Sequence, residues 1–115
     1  MAIMKALRFE KYGSPALLSI QELPMPDLKQ GEALVELHVA AINPSDLKNV
    51  AGVFKASLPR IPGRDFAGVV VAGDGCKGKE VWGSGAGFGV SRDGAHAQYI
   101  VVNSDKMQIT RWRRS

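Results

Sequence analysis

The sequence predicts a mainly β domain, a barrel or a sandwich, with one short helix. Seven or eight short apolar segments indicate strands, because turns that contain glycine or proline separate them. One further segment has the pattern typical of a helix. A chain of 115 residues, 45% of them hydrophobic, is long enough for one domain with a single core and too short for two complete domains.

The clearest strand is predicted over Glu32–Ala41, where residues alternate in polarity as in a strand with one buried face. Its core face is expected to carry Ala33, Val35, Leu37, Val39 and Ala41. Phe66–Ala72 is a continuous apolar run and is predicted to be a buried strand. Trp82 and Tyr99 are expected to be core or barrel-wall aromatics. The other predicted strands are Ile3–Glu10, Leu17–Leu23, Glu80–Trp82, Ala97–Val102 and Met107–Thr110.

The single helix is predicted over Pro44–Ala51. Asn43 is a favourable N-cap and proline is common at the first helical position, while Gly52 is a suitable C-cap. The apolar face of this helix is expected to consist of Leu47, Val50 and Ala51. The predicted helix therefore has two to three turns and a small buried stripe.

Charge and cysteine content exclude several classes of protein. Three of the four net positive charges come from Arg111, Arg113 and Arg114 at the end of the chain, so we expect a basic tail and no nucleic-acid partner. Cys76 is the only cysteine, which rules out an intrachain disulfide and makes a reducing cytoplasm the expected compartment. No apolar run is long enough to span a bilayer, and no signal peptide is evident, so no membrane partner is expected.

One glycine-rich stretch resembles two nucleotide-binding motifs. Gly73–Gly78 has the spacing G-x-G-x-x-G after an apolar strand, and with Lys79 it nearly matches a P-loop. Both motifs require a following helix whose N-terminus faces the phosphates. The segment after Gly78 is strand-like, and Glu80 stands where a P-loop has Ser or Thr. We therefore interpret this stretch as a β-turn.

The two histidines have no obvious catalytic partners in the sequence. His38 lies on the polar face of the predicted strand and is expected to be exposed. His96 follows Gly94 and Ala95 at the start of a predicted strand, so we expect it to end a turn; the alternative is that it lines a cleft. No triad of a nucleophile, a histidine and a carboxylate follows from spacing. A tetrahedral zinc site needs three or four suitable ligands, and this chain offers few.

Four segments, taken in order, resemble a known family. They are Ala41–Lys48, Ile61–Val70, Lys79–Gly83 and Asp93–Val102. The series is similar to the quinone-oxidoreductase-like branch of the medium-chain dehydrogenase/reductases, also called zinc-type alcohol dehydrogenase-like proteins. The resemblance implies a GroES-like, partly open β-barrel over residues 1–110, followed by a non-family basic tail over residues 111–115. The Rossmann cofactor domain of the family is expected to be absent, as in a truncated protein.

The resemblance also implies a function and a set of site residues. Zinc enzymes of the family carry Cys at the position of Asn43 and His at that of Arg64, so this chain is expected to be zinc-independent. The implied activity is NADPH-dependent reduction of a quinone or an enone, with NADPH not bound tightly by this chain alone. Asn43, Ser45 and Asp46 are the implied catalytic residues, with Asn43 and Asp46 near the nicotinamide. The implied cleft residues are Lys48, Arg64 and Asp65.

A different function remains open for a chain of this kind. A GroES-like module without catalytic activity could bind a partner or associate with itself, because surface that normally meets a cofactor domain would be uncovered. The strand at Met107–Thr110 is expected to offer an unpaired edge. We therefore expect a homo-oligomer, most simply a two-fold dimer.

Overall fold

The computed structural model describes residues 3–40, 44–73, 77–84, 87–104 and 107–109. The prediction of a mainly β domain with one short helix is confirmed. A short 3-10 helix over Pro15–Leu17 is an additional element. The strands are β1 (Ile3–Arg8), β2 (Ser19–Pro24), β3 (Glu32–Val39), β4 (Asp65–Ala72), β5 (Glu80–Ser84), β6 (Tyr99–Asn103) and β7 (Gln108–Ile109), and the helix is α1 (Pro44–Val50).

The strands form two antiparallel sheets. β1 and β2 make a two-stranded sheet, and the other strands make a five-stranded sheet in the order β6-β3-β4-β5-β7. Isolated β-bridges join Ala6 to Ala97 and Phe9 to Arg60. These bridges connect β1 and the residue after it to the segment before β6 and to the segment before β4.

The main core lies on one face of the five-stranded sheet. Ala33 and Val35 of β3 are fully buried, as the alternation predicted. Phe66 and Val70 of β4 lie in the same cluster, and the ring of Phe88 meets that of Phe66 edge to face, with centroids 5.6 Å apart. The intervening β4 residues are only half-buried. The expectation that all of Phe66–Ala72 would be buried was therefore wrong, because the strand has one face on the core.

The two aromatics predicted for the core or the barrel wall differ in exposure. Tyr99 is half-buried and packs against the cluster of Met4, Ala6 and Ile61. Trp82 lies in β5 and is 50% exposed, so of the two predicted places, the core or the barrel wall, the core was wrong. The reason is the alternation within β5, where Val81 and Gly83 take the buried positions and Trp82 points to the other side.

The long connection between β5 and β6 is anchored by Arg92. Its guanidinium lies 5.2 Å from the centroid of the Phe88 ring and donates a hydrogen bond to the carbonyl oxygen of Val101 at 2.9 Å. Its Nη2 also lies 3.9 Å from a carboxylate oxygen of Glu32. These contacts hold the connection against β3 and β6, and so fix the segment that carries His96.

Candidate functional site

Helix α1 places a carboxylate in the interior. Asp46 and Asn49 are buried, with exposed fractions of 3% and 1%, and Val50 is buried beside them. Residues three apart share one face of a helix, so this polar pair forms the inner face. Leu47 is half-exposed and Ala51 is exposed, so the predicted apolar stripe of Leu47, Val50 and Ala51 was wrong apart from Val50.

The buried amide of Asn49 attaches the helix to the connection between β5 and β6. Its Nδ2 donates a hydrogen bond to the carbonyl oxygen of Gly89. Burial of a polar group is costly unless it is hydrogen-bonded, and this contact satisfies the amide nitrogen. It also fixes the rotation of α1, which turns Asp46 towards the segment around His96.

Asp46 and His96 form a buried pair. The Oδ2 atom of Asp46 lies 3.9 Å from the Nε2 atom of His96, and the two side chains are 5% and 9% exposed. Their separation in sequence is large, and spacing alone had not linked them. His96 lies just before β6, as the prediction of a turn end has it, and its side chain is largely buried beside Asp46. A carboxylate beside an imidazole can fix the ring orientation and exchange a proton with it.

Gly63 allows the imidazole of His96 to lie against the backbone. A Cβ atom at Gly63 would stand 2.9 Å from the Cδ2 atom of His96, and the φ angle of +107° disfavours any other residue. The amide of His96 donates to the carbonyl oxygen of Pro62 at 3.0 Å, and the amide of Ala95 donates to that of Gly63 at 3.1 Å. The segment that continues into Arg64 and Asp65 therefore begins beside the histidine.

The structure places the other predicted site residues as follows. Arg64 and Asp65 are half-buried at the start of β4, and the Asp65 carboxylate accepts a hydrogen bond from the hydroxyl of Ser84 on the neighbouring strand. Lys48 is exposed on the outer face of α1. Ser45 lies in the first turn of α1, and Asn43 lies outside the described residues. Ser84 was not predicted, and its contact arises from the β4–β5 register that pairs it with Asp65.

A groove of about 270 Å³ opens beside His96. It lies between the end of β3, the end of β1 and the segment before β6. His38 stands at this groove with its side chain 54% exposed, which confirms that it is an exposed strand histidine. The lining residues are Leu7, Leu37, His38, Ala40, Ala95, His96 and Ala97.

The described ends of the glycine-rich stretch lie between two strands. β4 ends at Ala72 and β5 begins at Glu80, and the two strands are antiparallel neighbours. Gly78 donates its backbone N–H to the carbonyl oxygen of Val70 at 2.7 Å, which folds the chain back on the strand. Residues 74–76 of this stretch lie outside the described part of the chain. In the described part, β5 begins at Glu80 soon after Gly78, which agrees with the interpretation of the stretch as a turn.

A zinc site in a protein requires three or four suitable ligand side chains close together. Among the residues that the structure describes, no group of three or more His, Cys, Asp and Glu side chains could hold a metal. Arg64 is described, and its guanidinium has no lone pair to donate to a cation. The described side chains at this site therefore do not fit a zinc ion. Separately, no helix within the described ranges is long and apolar enough to cross a membrane.

Comparison with known proteins agrees with this architecture. Residues 29–111 match the model of the alcohol dehydrogenase GroES-like domain. A zinc-type alcohol dehydrogenase-like protein of Schizosaccharomyces pombe is 46% identical over 105 residues, which are 87% of this chain and 32% of that protein. An NADPH-dependent alkenal/one oxidoreductase of Arabidopsis thaliana is 40% identical over 72 residues, 59% of this chain and 19% of that protein.

A solved structure of a related enzyme has the same fold as this chain. The quinone oxidoreductase of Coxiella burnetii superposes with a TM-score of 0.82 at 29% identity, over 94% of this chain and 37% of that one. The chain thus spans about a third or less of the curated relatives named above. It belongs to the alcohol dehydrogenase GroES-like domain family and corresponds to the N-terminal domain of the medium-chain dehydrogenase/reductases.

Proposed function

We propose that this chain is the substrate domain of a zinc-independent, NADPH-dependent quinone or enone oxidoreductase and is inactive without a cofactor domain. The observation that carries the proposal is the site itself. A buried Asp46–His96 pair lies beside Gly63, and the residue after that glycine is an arginine that cannot bind zinc. Such a site can supply hydrogen bonds and protons to a bound acceptor.

The acceptors named for the relatives support the same class of substrate. One relative is an alkenal/one oxidoreductase and one similar structure is a quinone oxidoreductase. Both acceptors contain a carbonyl group conjugated with a carbon–carbon double bond. Such acceptors are already electrophilic, so their reduction depends on orientation and modest polarisation more than on a metal ion.

The proposed roles of the site residues follow from their places in the fold. NADPH, held mainly by a separate cofactor domain, supplies the hydride. Asn43 and Asp46 are proposed to line the nicotinamide side of the cleft, and Ser45 is proposed to lie at the acceptor. Arg64 and Asp65 form the proposed cleft wall at the start of β4, and Lys48 is proposed to lie at its exposed mouth.

A fusion protein tests this function. Residues 1–110 of the chain are joined to the C-terminal remainder of the S. pombe relative, which is the part that the present chain does not cover. We expect NADPH oxidation with 3-methyl-2-cyclohexenone or duroquinone, and none by the unfused chain, because the hydride donor needs the second domain. Oxidation of simple alcohols as the dominant reaction, with no enone or quinone reduction, would contradict the proposal.

Self-association is a second proposed property, favoured by the edge of the five-stranded sheet. β7 is the last strand on that side within the described residues, and it offers Ile109 at 46% exposure next to the β5 strand that carries Trp82. Unpaired strand edges and apolar patches promote association, and two-fold pairing would cover both edges. This is also the property that a non-catalytic module would use.

Sedimentation checks the oligomeric state of the unfused chain. We expect a dimer in the micromolar range that becomes tighter as salt is added, because salt screens repulsion between the arginine-rich tails. An Ile109→Lys variant should shift the equilibrium towards monomer, whereas Ile20→Lys, at an exposed position on the other sheet, should not. A compact monomer at both low and high salt would refute the dimer.

A further inference from the structure

The five-stranded sheet leaves a large aromatic side chain open to solvent on the face opposite its main core. Trp82 is 50% exposed, although it lies in the middle of β5. Its partners across the sheet are Ala67 of β4 and Gln108 of β7, and residues opposite each other in a sheet share a face. The methyl group of Ala67 is too small to cover the indole, so the ring is available for a further contact.

The side chains around the indole carry negative charge. Glu80 lies two residues before Trp82 on β5. Glu36 of β3 and Glu80 occupy one row across the sheet, because each of them pairs with Val69 of β4. The outward positions of these three strands form what we call the Trp82 face, and none of them is basic. They are Glu36, Asp65, Ala67, Val69, Glu80, Trp82 and Ser84.

The Glu36 carboxylate has contacts but retains the capacity to bind a cation. One of its oxygens lies 3.4 Å from Nε2 of His38, and the other accepts a hydrogen bond from the hydroxyl of Tyr99 at 3.4 Å. Its side chain is 46% exposed. A carboxylate can accept about four hydrogen bonds, so a guanidinium group can still approach it from solvent.

The residues that follow β7 carry the complementary charge. Three arginines lie within five residues of Ile109, namely Arg111, Arg113 and Arg114. β7 is antiparallel to β5, and its register leads from Trp82 towards Glu80. Neighbouring strands are about 4.8 Å apart, so Glu36, three strands from β7, is roughly 14 Å away. Five extended residues span about 17 Å, which is enough to cross the Trp82 face.

We propose that residues 110–115 dock on the Trp82 face, with arginine side chains against the carboxylates of Glu36 and Glu80 and against the indole of Trp82. Guanidinium groups form paired hydrogen bonds with carboxylates and pack on the faces of aromatic rings, so this surface fits an arginine-rich segment. The segment crosses the face of the sheet and leaves the outer edge of β7 for pairing with a second copy. Docking therefore covers the indole without using the edge.

Quenching of Trp82 fluorescence by acrylamide tests this docking in the full chain. Trp112→Phe serves as the reference protein, because it leaves Trp82 as the single tryptophan. In this background the three arginines are replaced together as Arg111→Gln, Arg113→Gln and Arg114→Gln. We expect the quenching constant to rise about twofold, since surface ion pairs of this kind are weak but measurable. Equal quenching in the reference protein and the arginine variant would overturn the proposal.

The matched control removes the same charge from exposed positions outside the Trp82 face. Its substitutions are Lys11→Gln, Lys29→Gln and Lys55→Gln, and they should leave the quenching constant unchanged. Acrylamide is uncharged, so a change in net charge does not by itself alter its access to the indole. A rise in the lysine variant equal to that in the arginine variant would show a general charge effect and would overturn the docking.

Glu36→Gln combined with Glu80→Gln tests the other side of the contact. This pair should raise the quenching constant as the arginine variant does, and joining both sets of substitutions should add little more. Salt should raise the constant of the reference protein and not that of the arginine variant, because screening weakens the attraction. Protection of Trp82 that is independent of protein concentration supports docking of the chain's own segment. Protection that grows with protein concentration would show a second copy on this face and would overturn it.

Discussion

Gly68→Ala is expected to destabilise the domain by about 3 kcal/mol or more, a large part of the 5–15 kcal/mol typical of small domains. Gly68 is buried in the middle of β4, opposite Leu37 of β3. A Cβ atom there would stand 2.0 Å from the carbonyl oxygen of Glu36 and 2.9 Å from a methyl group of Val35. Backbone cannot give way as a flexible side chain can, so the central pair of strands would have to separate. Urea unfolding measures the loss.

Gly78→Ala is the matched control for this substitution. A Cβ atom at Gly78 would meet nothing within 4 Å, although the φ angle is +87°. It should therefore cost only about 1 kcal/mol, the usual penalty for a left-handed conformation in an L-residue. If Gly68→Ala were no more destabilising than Gly78→Ala, the close approach of β4 to β3 would not exist in solution.

The unfused chain is expected to bind NADPH at least about a hundredfold more weakly than the fusion protein, a difference of roughly 2.7 kcal/mol. Pyrophosphate sites of dinucleotide-binding folds use a glycine-rich turn that opens a helix. In the described part of this chain, the glycine-rich stretch is followed by β5, an antiparallel neighbour of β4, where those folds have a helix. Isothermal titration calorimetry on both proteins measures the difference.

The substitution Lys79→Gln tests whether the glycine-rich stretch binds NADPH. Lys79 is the residue that would reach a phosphate if Gly73–Gly78 acted as a P-loop. We expect this substitution to leave the weak NADPH binding of the unfused chain unchanged. Micromolar binding that disappears in Lys79→Gln would show that the turn is a nucleotide site after all.

The sequence predicted the class of fold because its strongest patterns are local. The alternation along Glu32–Ala41 identifies β3, and proline after a capping residue identifies the start of α1. Predictions that depended on contacts between distant parts of the chain were less accurate. Trp82 is exposed because Val81 and Gly83 occupy the inner positions of β5, and hydrophobicity by itself does not reveal which phase of a strand faces the core.

The candidate site was only partly predictable for a related reason. Motif positions pointed to Asp46, Arg64 and Asp65, but the partner of Asp46 is His96, fifty residues further along the chain. Their contact depends on the antiparallel course of the Pro62–Gly63 and Ala95–His96 segments, which spacing does not show. The indication in the sequence was Gly63, a glycine without which the imidazole could not lie against the backbone.

The zinc content of the active fusion protein tests the central claim most directly. Elemental analysis after mild chelation, combined with the rate of enone reduction, measures both the metal and its importance. We expect substoichiometric zinc and an undiminished rate, because Arg64 cannot donate to a cation and the described residues offer no group of three ligands. About one zinc ion per chain, with activity lost on removal of the metal and restored by its return, would contradict the account.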